Sequence, residues 1–446
     1  MSSRDQFSTK IGFILAAAGS AIGLGAIWKF PYMAGTNGGS VFILLFILCT
    51  FFIGLPVLIA EFMIGRRGQK DAVTSFKQQA PGKPWFLIGW GGMIIAGLIL
   101  SFYSVVGGWI LSYLGRSLTF QLTSDGHNGN YADLFGNIIS SPFEAVLVQG
   151  LFLLLTIAIV SGGIKGGIEK ASTWMMPLLF IFFIVLVIRS LTLDGAMEGV
   201  KFMFVPDWSY LNAETFLKAL GQAFFSLSVG IAVMITYASY LPKTEKIGNS
   251  AINVASMNII ISLLAGLVIF PAVFALGYTP DQGPGLVFII LPAVFEQLPL
   301  GGLFLTIFFI LLLFATVTSS ISMLEIVVAI AIGDKPEKRK KIAWIGGLII
   351  FIFGIPSALS FGILSDVKIL DRSIFDFVDF ITNSVGMPIG ALLISIFAGY
   401  YYTKDISRKE LASSSLLFNT WYILIRYVSP IAILLIFIQG ILPLFQ

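Results

Sequence analysis

Long apolar blocks alternate with short polar ones along the whole chain. Apolar runs of about 20 residues mark bilayer-crossing helices. They predict eleven, at 11–35, 40–66, 86–121, 143–161, 168–190, 214–240, 247–277, 301–332, 342–358, 374–401 and 415–441. The third and eighth are long enough to tilt or to extend past the bilayer. Two runs are interrupted. In residues 11–39, IGFILAAAGSAIGLGAIWKFPYMAGTNGG, Gly19, Gly23 and Gly25 fall close together with Ser20 among them. Each glycine costs up to ~1 kcal/mol in a helix relative to alanine. In residues 221–232, GQAFFSLSVGIA, Ser226, Ser228 and Gly230 interrupt an aromatic, apolar run. Lipid cannot satisfy a freed peptide group, so a break at this depth faces protein, an ion or a solute. Glycine-lined helix packing is the plainer reading of either break alone. The two interruptions lie five spans apart, on spans that start from opposite sides. That is the pattern of two five-helix repeats in inverted topology, with a site where their first helices break. The expected fold is all-α.

Composition places this pattern in a membrane. Of 446 residues, 57% are hydrophobic and 11% charged, against about 25% charged in a soluble domain; mean hydropathy is +0.94. The net charge of +4 says less than where the charges sit. Lys and Arg crowd one set of alternate segments, such as Arg66, Arg67, Lys70, Lys77 and Lys83, or Lys335 to Lys341. That set is cytoplasmic, which puts the N-terminus inside and, after eleven spans, the tail ILPLFQ outside a multi-pass protein of the cell membrane. No cleavable leader is read in MSSRDQFSTK. The expected division is a cytoplasmic segment 1–10, a first repeat 11–190, an outer loop 191–213, a second repeat 214–401, and a last span with outer C-terminus 402–446. Within the second repeat, residues 278–300 are Pro- and Gly-punctuated yet apolar, which suits a re-entrant hairpin.

Several chemistries drop out. The single Cys49 lies in an apolar run and the single His127 in a polar outer loop, so a histidine metal site or an intramembrane Ser–His hydrolase is poorly supported. The GLG at 23–25 follows no strand, and no phosphate-loop motif is present; no ATPase subunit is implied and energy comes from an ion gradient. The basic run 335–341 reads as topology or anionic-lipid contact, not nucleic acid.

With these motifs in place, the chain resembles the neurotransmitter:sodium symporter family, of the bacterial leucine-transporter type. AGSAIGLGAIWKFP in span 1 followed by NGG, GQAFFSLSVG and ITYASY in span 6, and FATVTSSIS in span 8 carry the likeness, which covers nearly the whole chain. The resemblance implies two sodium sites. Site 1 would use the Ala21 carbonyl, Ser226 and Asn258, completed by the substrate carboxylate. Site 2 would use the carbonyls of Gly19, Ile22 and Ala315 with the hydroxyls of Thr318 and Ser319. Carbonyls freed by helix breaks, with hydroxyls and amides, suit a bare sodium ion; the plain reading is that each hydroxyl bonds back to its own helix. The family usually has Asn where this chain has Ala26, which removes one oxygen from site 1. The resemblance further implies an amino-acid substrate. The Leu24 and Gly25 amides, at a positive helix end, and Tyr103 would take its carboxylate. The carbonyls of Ala21, Phe225 and Ser226 and the Ser228 hydroxyl would take its ammonium. Gly23 supplies no carboxylate, where the monoamine branch of the family has Asp. Ile99, Tyr103, Phe225, Ile231, Ser319 and Met323 would line an apolar side-chain pocket. Ile231 stands where a leucine-selective relative has Phe, so hydrophobic substrates up to aromatic size are expected.

Gates are read from charges that are rare in a membrane. Lys29 aligns with a family Arg and Asp379 with its acidic partner, but Lys lacks the bidentate fork, so a looser latch above Phe225 is expected. Arg4, Phe7, Tyr240 and Asp334 resemble an inner plug, although the family's acidic residue falls at Gly333. Chloride stays open: Ser226, Asn258 and Ser262 fit an anion set, the family's Tyr is Phe46, and Glu325 could supply charge or serve a local structural role. Gly167 and Pro177 flank a part of span 5 able to unwind. The expected function is sodium-coupled uptake of hydrophobic L-amino acids by alternating access. A proton-coupled transporter on the same scaffold and a non-transporting amino-acid sensor are the alternatives.

Overall fold

The computed structural model describes residues 5–119, 121–122, 130–280 and 285–444. Arg4 and His127 lie outside them. All regular secondary structure among the described residues is helical, with one isolated bridge between Ile369 and Arg372 and no strand.

Among the described residues, nine helices are long and apolar enough to cross a membrane unbroken: Ser40–Gly68, Phe86–Leu118, Pro142–Ser161, Ile164–Leu191, Ile247–Ala275, Gly301–Ile332, Pro336–Ala358, Ile374–Tyr401 and Ser415–Ile441. They are spans 2 to 5 and 7 to 11. Span 1 is a bent pair, Lys10–Ala21 and Gly25–Thr36, with 51° between its halves. Span 6 is a second interrupted pair, Ala213–Leu227 and Val233–Ala238. Its inner half is only six residues long, too short to count as a crossing helix alone. The eleven runs read from sequence are consistent with these nine unbroken helices and two interrupted pairs among the described residues.

Three boundaries move by three residues or more. Span 5 begins at Ile164 rather than 168. Span 3 ends at Leu118, short of the expected residue 121. Span 9 begins near Pro336 rather than 342, because Arg339 turns inward to Glu325 instead of joining a solvated basic loop.

Burial separates an inner set of spans from an outer one. The most apolar windows of spans 2, 3 and 7 are 61%, 72% and 67% buried, while those of spans 5 and 11 are 28% buried. The outer spans expose Ile181, Ile184, Ile188, Leu434, Leu435 and Ile438. Such surfaces are stable facing lipid and would be an aggregation hazard in water.

The apolar loop after span 7 forms a short helix, Leu286–Glu296. Its Phe288 ring packs on Trp28, Trp109, Tyr113 and Phe135, and its carbonyl accepts from Tyr113 Oη at 2.8 Å. It thus lies against spans 1 and 3.

At the other end, the leading strap is tied to span 5. Asp5 Oδ2 accepts from Ile164 N at 2.7 Å. In return Glu169 accepts from Ser8 N at 2.7 Å and from Thr9 N and Oγ1 at 3.1 Å. The intervening turn, Ile164–Glu169, is π-helical and contains Gly167; Pro177 lies inside the next helix, Lys170–Leu191.

Candidate functional site

The two interrupted spans meet at their breaks, and each break is made differently. In span 1, Ile22 N donates to Ala18 O at 2.6 Å, and helical bonding resumes with Ala26 N to Gly23 O at 3.1 Å. Between them peptide groups are left for other partners, as at any helix end. The outer half restarts in a π-helical turn, Gly25–Lys29. In span 6, residues 228–232 run non-helically through three left-handed positions: Ser228 at φ 53°, Gly230 at φ 91° and Ala232 at φ 56°.

The freed groups of span 1 face spans 3, 6 and 8. Leu24 N donates to Tyr103 Oη at 3.2 Å. Ser228 Oγ donates to Ser20 O at 2.9 Å. Ser319 Oγ donates to the Gly19 and Ser20 carbonyls at 3.1 and 3.0 Å. A β-carbon on Gly23 would collide with Ser319 Oγ and approach Tyr103 Oη to 2.8 Å, so this backbone position admits no side chain without movement of both.

These groups enclose a cavity of about 30 Å³, lined by Ser20, Ala21, Gly23, Leu24, Gly25, Ile99, Tyr103, Phe225, Ser228, Ile231, Ser319, Met323 and Met387. Eleven of the twelve positions expected to contact substrate are in this lining. The twelfth, Ser226, is fully buried and hydrogen-bonded to Asn258.

Some of the residues expected to hold sodium are neighbours: Ser226 with Asn258, and Gly19 with Thr318 and Ser319. Asn258 Nδ2 donates to Ser226 Oγ at 2.9 Å, and Asn258 Oδ1 is buried without a partner. Gln222 Nε2 reaches the Gly25 carbonyl at 2.6 Å, leaving Gln222 Oε1 likewise unpaired. An unpaired buried oxygen costs about 1–3 kcal/mol, which a bound cation would recover. On the opposite side of span 1, a β-carbon on Gly19 would lie 2.9 Å from Thr318 Cβ, which places spans 1 and 8 in contact. Here the two hydroxyls differ: Ser319 crosses to span 1, whereas Thr318 Oγ1 bonds back to Phe314 O and Ala315 O, each at 3.0 Å. Among the described residues no group of three His, Cys, Asp or Glu side chains could hold a metal; the donors available to a cation are neutral oxygens.

The expected outer latch takes another form. No ion pair joins Lys29 to Asp379 among the described residues. Lys29 Nζ stands over the Phe225 ring, 4.4 Å from its centroid, and Asp379 Oδ1 accepts from Asn383 Nδ2 at 2.5 Å. The shorter, single-headed lysine settles on the aromatic face instead of spanning to the carboxylate.

At the inner end, Phe7 sits in an aromatic box with Phe13, Tyr237 and Tyr240. Tyr240 Oη donates to Glu325 Oε1 at 2.6 Å, and Arg339 holds the same carboxylate through both terminal nitrogens. Glu325 is thus engaged by both Tyr240 and Arg339. Asp334 pairs with Lys70, its side chain 79% exposed.

Sequence reading missed Glu61 and Met387. Glu61, fully buried in span 2, accepts from Gly230 N at 2.6 Å and so holds the non-helical linker of span 6. An isolated carboxylate in LPVLIAEFMIG was the available signal. Met387 belongs to span 10 and carried no signal beyond hydrophobicity.

Comparison with known proteins agrees with this geometry. The chain matches the profile of the "Sodium:neurotransmitter symporter family" over residues 4–134 and 141–445. It is 51% identical over 439 residues to the "Uncharacterized sodium-dependent transporter YhdH" of Bacillus subtilis (strain 168), covering 97% of each chain. An "Uncharacterized sodium-dependent transporter" of Haemophilus influenzae is 38% identical over 454 residues, covering 98% of each. Among solved structures, MhsT in complex with L-phenylalanine superposes with a TM-score of 0.91 at 44% identity, covering 98% of this chain and 100% of that one.

Proposed function

The chain belongs to the sodium:neurotransmitter symporter family, and on that premise we propose that it imports hydrophobic L-amino acids, aliphatic and aromatic, by alternating access. It is a multi-pass, sodium-dependent membrane transporter and not an enzyme. The observation that carries the substrate proposal is the meeting of two helix breaks around one small cavity. Its polar groups suit a zwitterion, and the remainder of its wall is apolar.

In this reading the Leu24 and Gly25 amides and the Tyr103 hydroxyl take the substrate carboxylate. The carbonyls of Ala21, Phe225 and Ser226, with the Ser228 hydroxyl, take the ammonium. Ile99, Ile231, Met323 and the Phe225 ring hold the side chain. One sodium ion is held by the Ala21 carbonyl, Ser226, the unpaired Asn258 Oδ1 and the substrate carboxylate itself. A shared ligand couples ion and solute, since each raises the other's affinity by the same factor. The unpaired Gln222 Oε1 is a polar oxygen near the gap left by Ala26. The second ion is held by the carbonyls of Gly19, Ile22 and Ala315 with Thr318 and Ser319; Thr318 keeps donating within span 8 while a lone pair of its oxygen takes the ion. The structure of MhsT with L-phenylalanine supports an aromatic amino acid as one ligand.

Alternating access assigns Lys29, Asp379 and Phe225 to the outer gate. Arg4, Phe7, Tyr240 and Asp334 form the inner one. The N-terminus faces the cytoplasm and the C-terminus the outside.

Uptake of labelled leucine and tryptophan into sealed vesicles tests the reading. A sodium gradient should drive accumulation of both, each competing with the other. Accumulation driven by a pH gradient without sodium would replace it with proton coupling. Binding without uphill flux would make the protein a sensor.

A further inference from the structure

Two cavities adjoin one another. The outer one is about 340 Å³ and is bordered by Lys29, Lys218, Arg372, Asn383 and Ile436 among others; the inner one is the 30 Å³ cavity between the breaks. Among the described residues their linings share two side chains, Phe225 and Met387. These two form the wall between them.

The inner cavity is far below the ~300 Å³ of an ordinary ligand pocket. A hydrophobic side chain can enter only by displacing part of the wall. Most of that wall cannot yield. The span 1 lining is backbone and small residues. Ile99 and Ile231 are β-branched and stiff. Tyr103 is tied to Leu24 N; the Phe225 ring swings as the outer gate but, once closed over the cavity, is covered by Lys29 on its other side. Two methionines remain, and an unbranched thioether with three rotatable bonds adapts readily. Met387, unlike Met323, backs onto the larger outer cavity, so it can move without repacking the core.

The backbone beneath Met387 is fixed. A π turn, Ile381–Gly386, ends with Met387 N donating to Thr382 O. The added residue rotates the remainder of span 10 by about 100°. Just beyond, span 10 lies flush against the linker of span 6. A β-carbon on Gly230 would collide with Met387 O and come within 3.0 Å of Ala391 N, and one on Gly390 would collide with Gly230 O. Adjustment at this position is therefore left to the side chain.

We propose that Met387 is a specificity-determining residue: its side chain is the yielding half of the wall between the two cavities, and its volume limits the largest amino-acid side chain admitted. The inference rests on the amino-acid reading above and adds span 10 to the spans that select substrate.

The test uses the full chain in proteoliposomes and compares the ratio of KM for tryptophan to KM for leucine. Met387→Ala should lower that ratio about tenfold, and Met387→Phe should raise it about tenfold, the scale expected when a pocket gains or loses a few carbons. Met387→Leu, of similar volume, should stay within about twofold. A merely structural role would not move the ratio in opposite directions. Should Met387→Ala fail to accumulate in the membrane, equilibrium binding of both amino acids to Met387→Phe in detergent decides by the same ratio. An unchanged ratio in variants that still take up leucine overturns the inference. Failure of the unsubstituted chain to take up either amino acid overturns the amino-acid reading instead.

Discussion

The breaks in spans 1 and 6 face one cavity but are held open by different means. In span 1 the chain carries its own reasons: glycines at 19, 23 and 25, with no residue forced into the left-handed region. In span 6 two of the three left-handed residues are Ser228 and Ala232, which lack glycine's freedom. Such a conformation costs about 1–2 kcal/mol per residue. It persists because Glu61 on span 2 accepts from Gly230 and span 10 packs against the linker. One break is local in origin and the other is imposed by tertiary contacts. A break imposed by its neighbours is sensitive to changes in those neighbours.

Four substitutions sharpen or break this contrast. The largest effect is expected for Gly230→Ala, which adds a side chain at φ 91° against the span 10 backbone. Strain and overpacking together cost about 3 kcal/mol, read as a large drop in detergent melting temperature with loss of uptake. Next, Glu61→Ala leaves the Gly230 amide buried without its acceptor, worth about 1–3 kcal/mol. It should lower both melting temperature and uptake although residue 61 is on another span; an unchanged melting temperature would mean that the linker of span 6 stands alone. Gly23→Ala in span 1 should do the reverse. Its β-carbon meets the polar ends of two side chains, Ser319 and Tyr103, rather than backbone, so stability should change by under about 1.5 kcal/mol. Equilibrium binding of labelled leucine should weaken more than tenfold, because the group enters the cavity itself. The smallest effect is expected for Ala232→Gly. Relief of left-handed strain is offset by the greater freedom of glycine in the unfolded chain, leaving stability neutral to about 1 kcal/mol higher by thermal unfolding. A clear loss there would show that Ala232 is not strained.

The same contrast explains which features are legible in the sequence. Spans, and the break in span 1, are written in local composition, so the run of residues reveals them. The span 6 break is legible through Ser226, Ser228 and Gly230, but its cause is not, because Glu61 acts across 169 residues of sequence. Its isolated charge is the one visible sign. Met387 has no sign, since a methionine in an apolar span reads the same whether it meets lipid or solute. Arg339 reads as a loop residue because its neighbours are basic or polar; its contacts with Glu325 and the Val160 carbonyl draw it into span 9. The outer latch differs over reach: alignment pairs Lys29 with Asp379, while the geometry sets the ammonium on Phe225.

The exchange of hydrogen bonds between the leading strap and span 5 has a consequence of its own. Asp5 serves the amide of Ile164, and Glu169 serves those of Ser8 and Thr9. Pulling the strap away would strand donors and acceptors on both sides at once, so detachment proceeds as a single cooperative event rather than by gradual fraying. Any force, tag or cleavage that peels off the leading segment is thereby felt at the opening turn of a helix far along the chain, at residues 164–169.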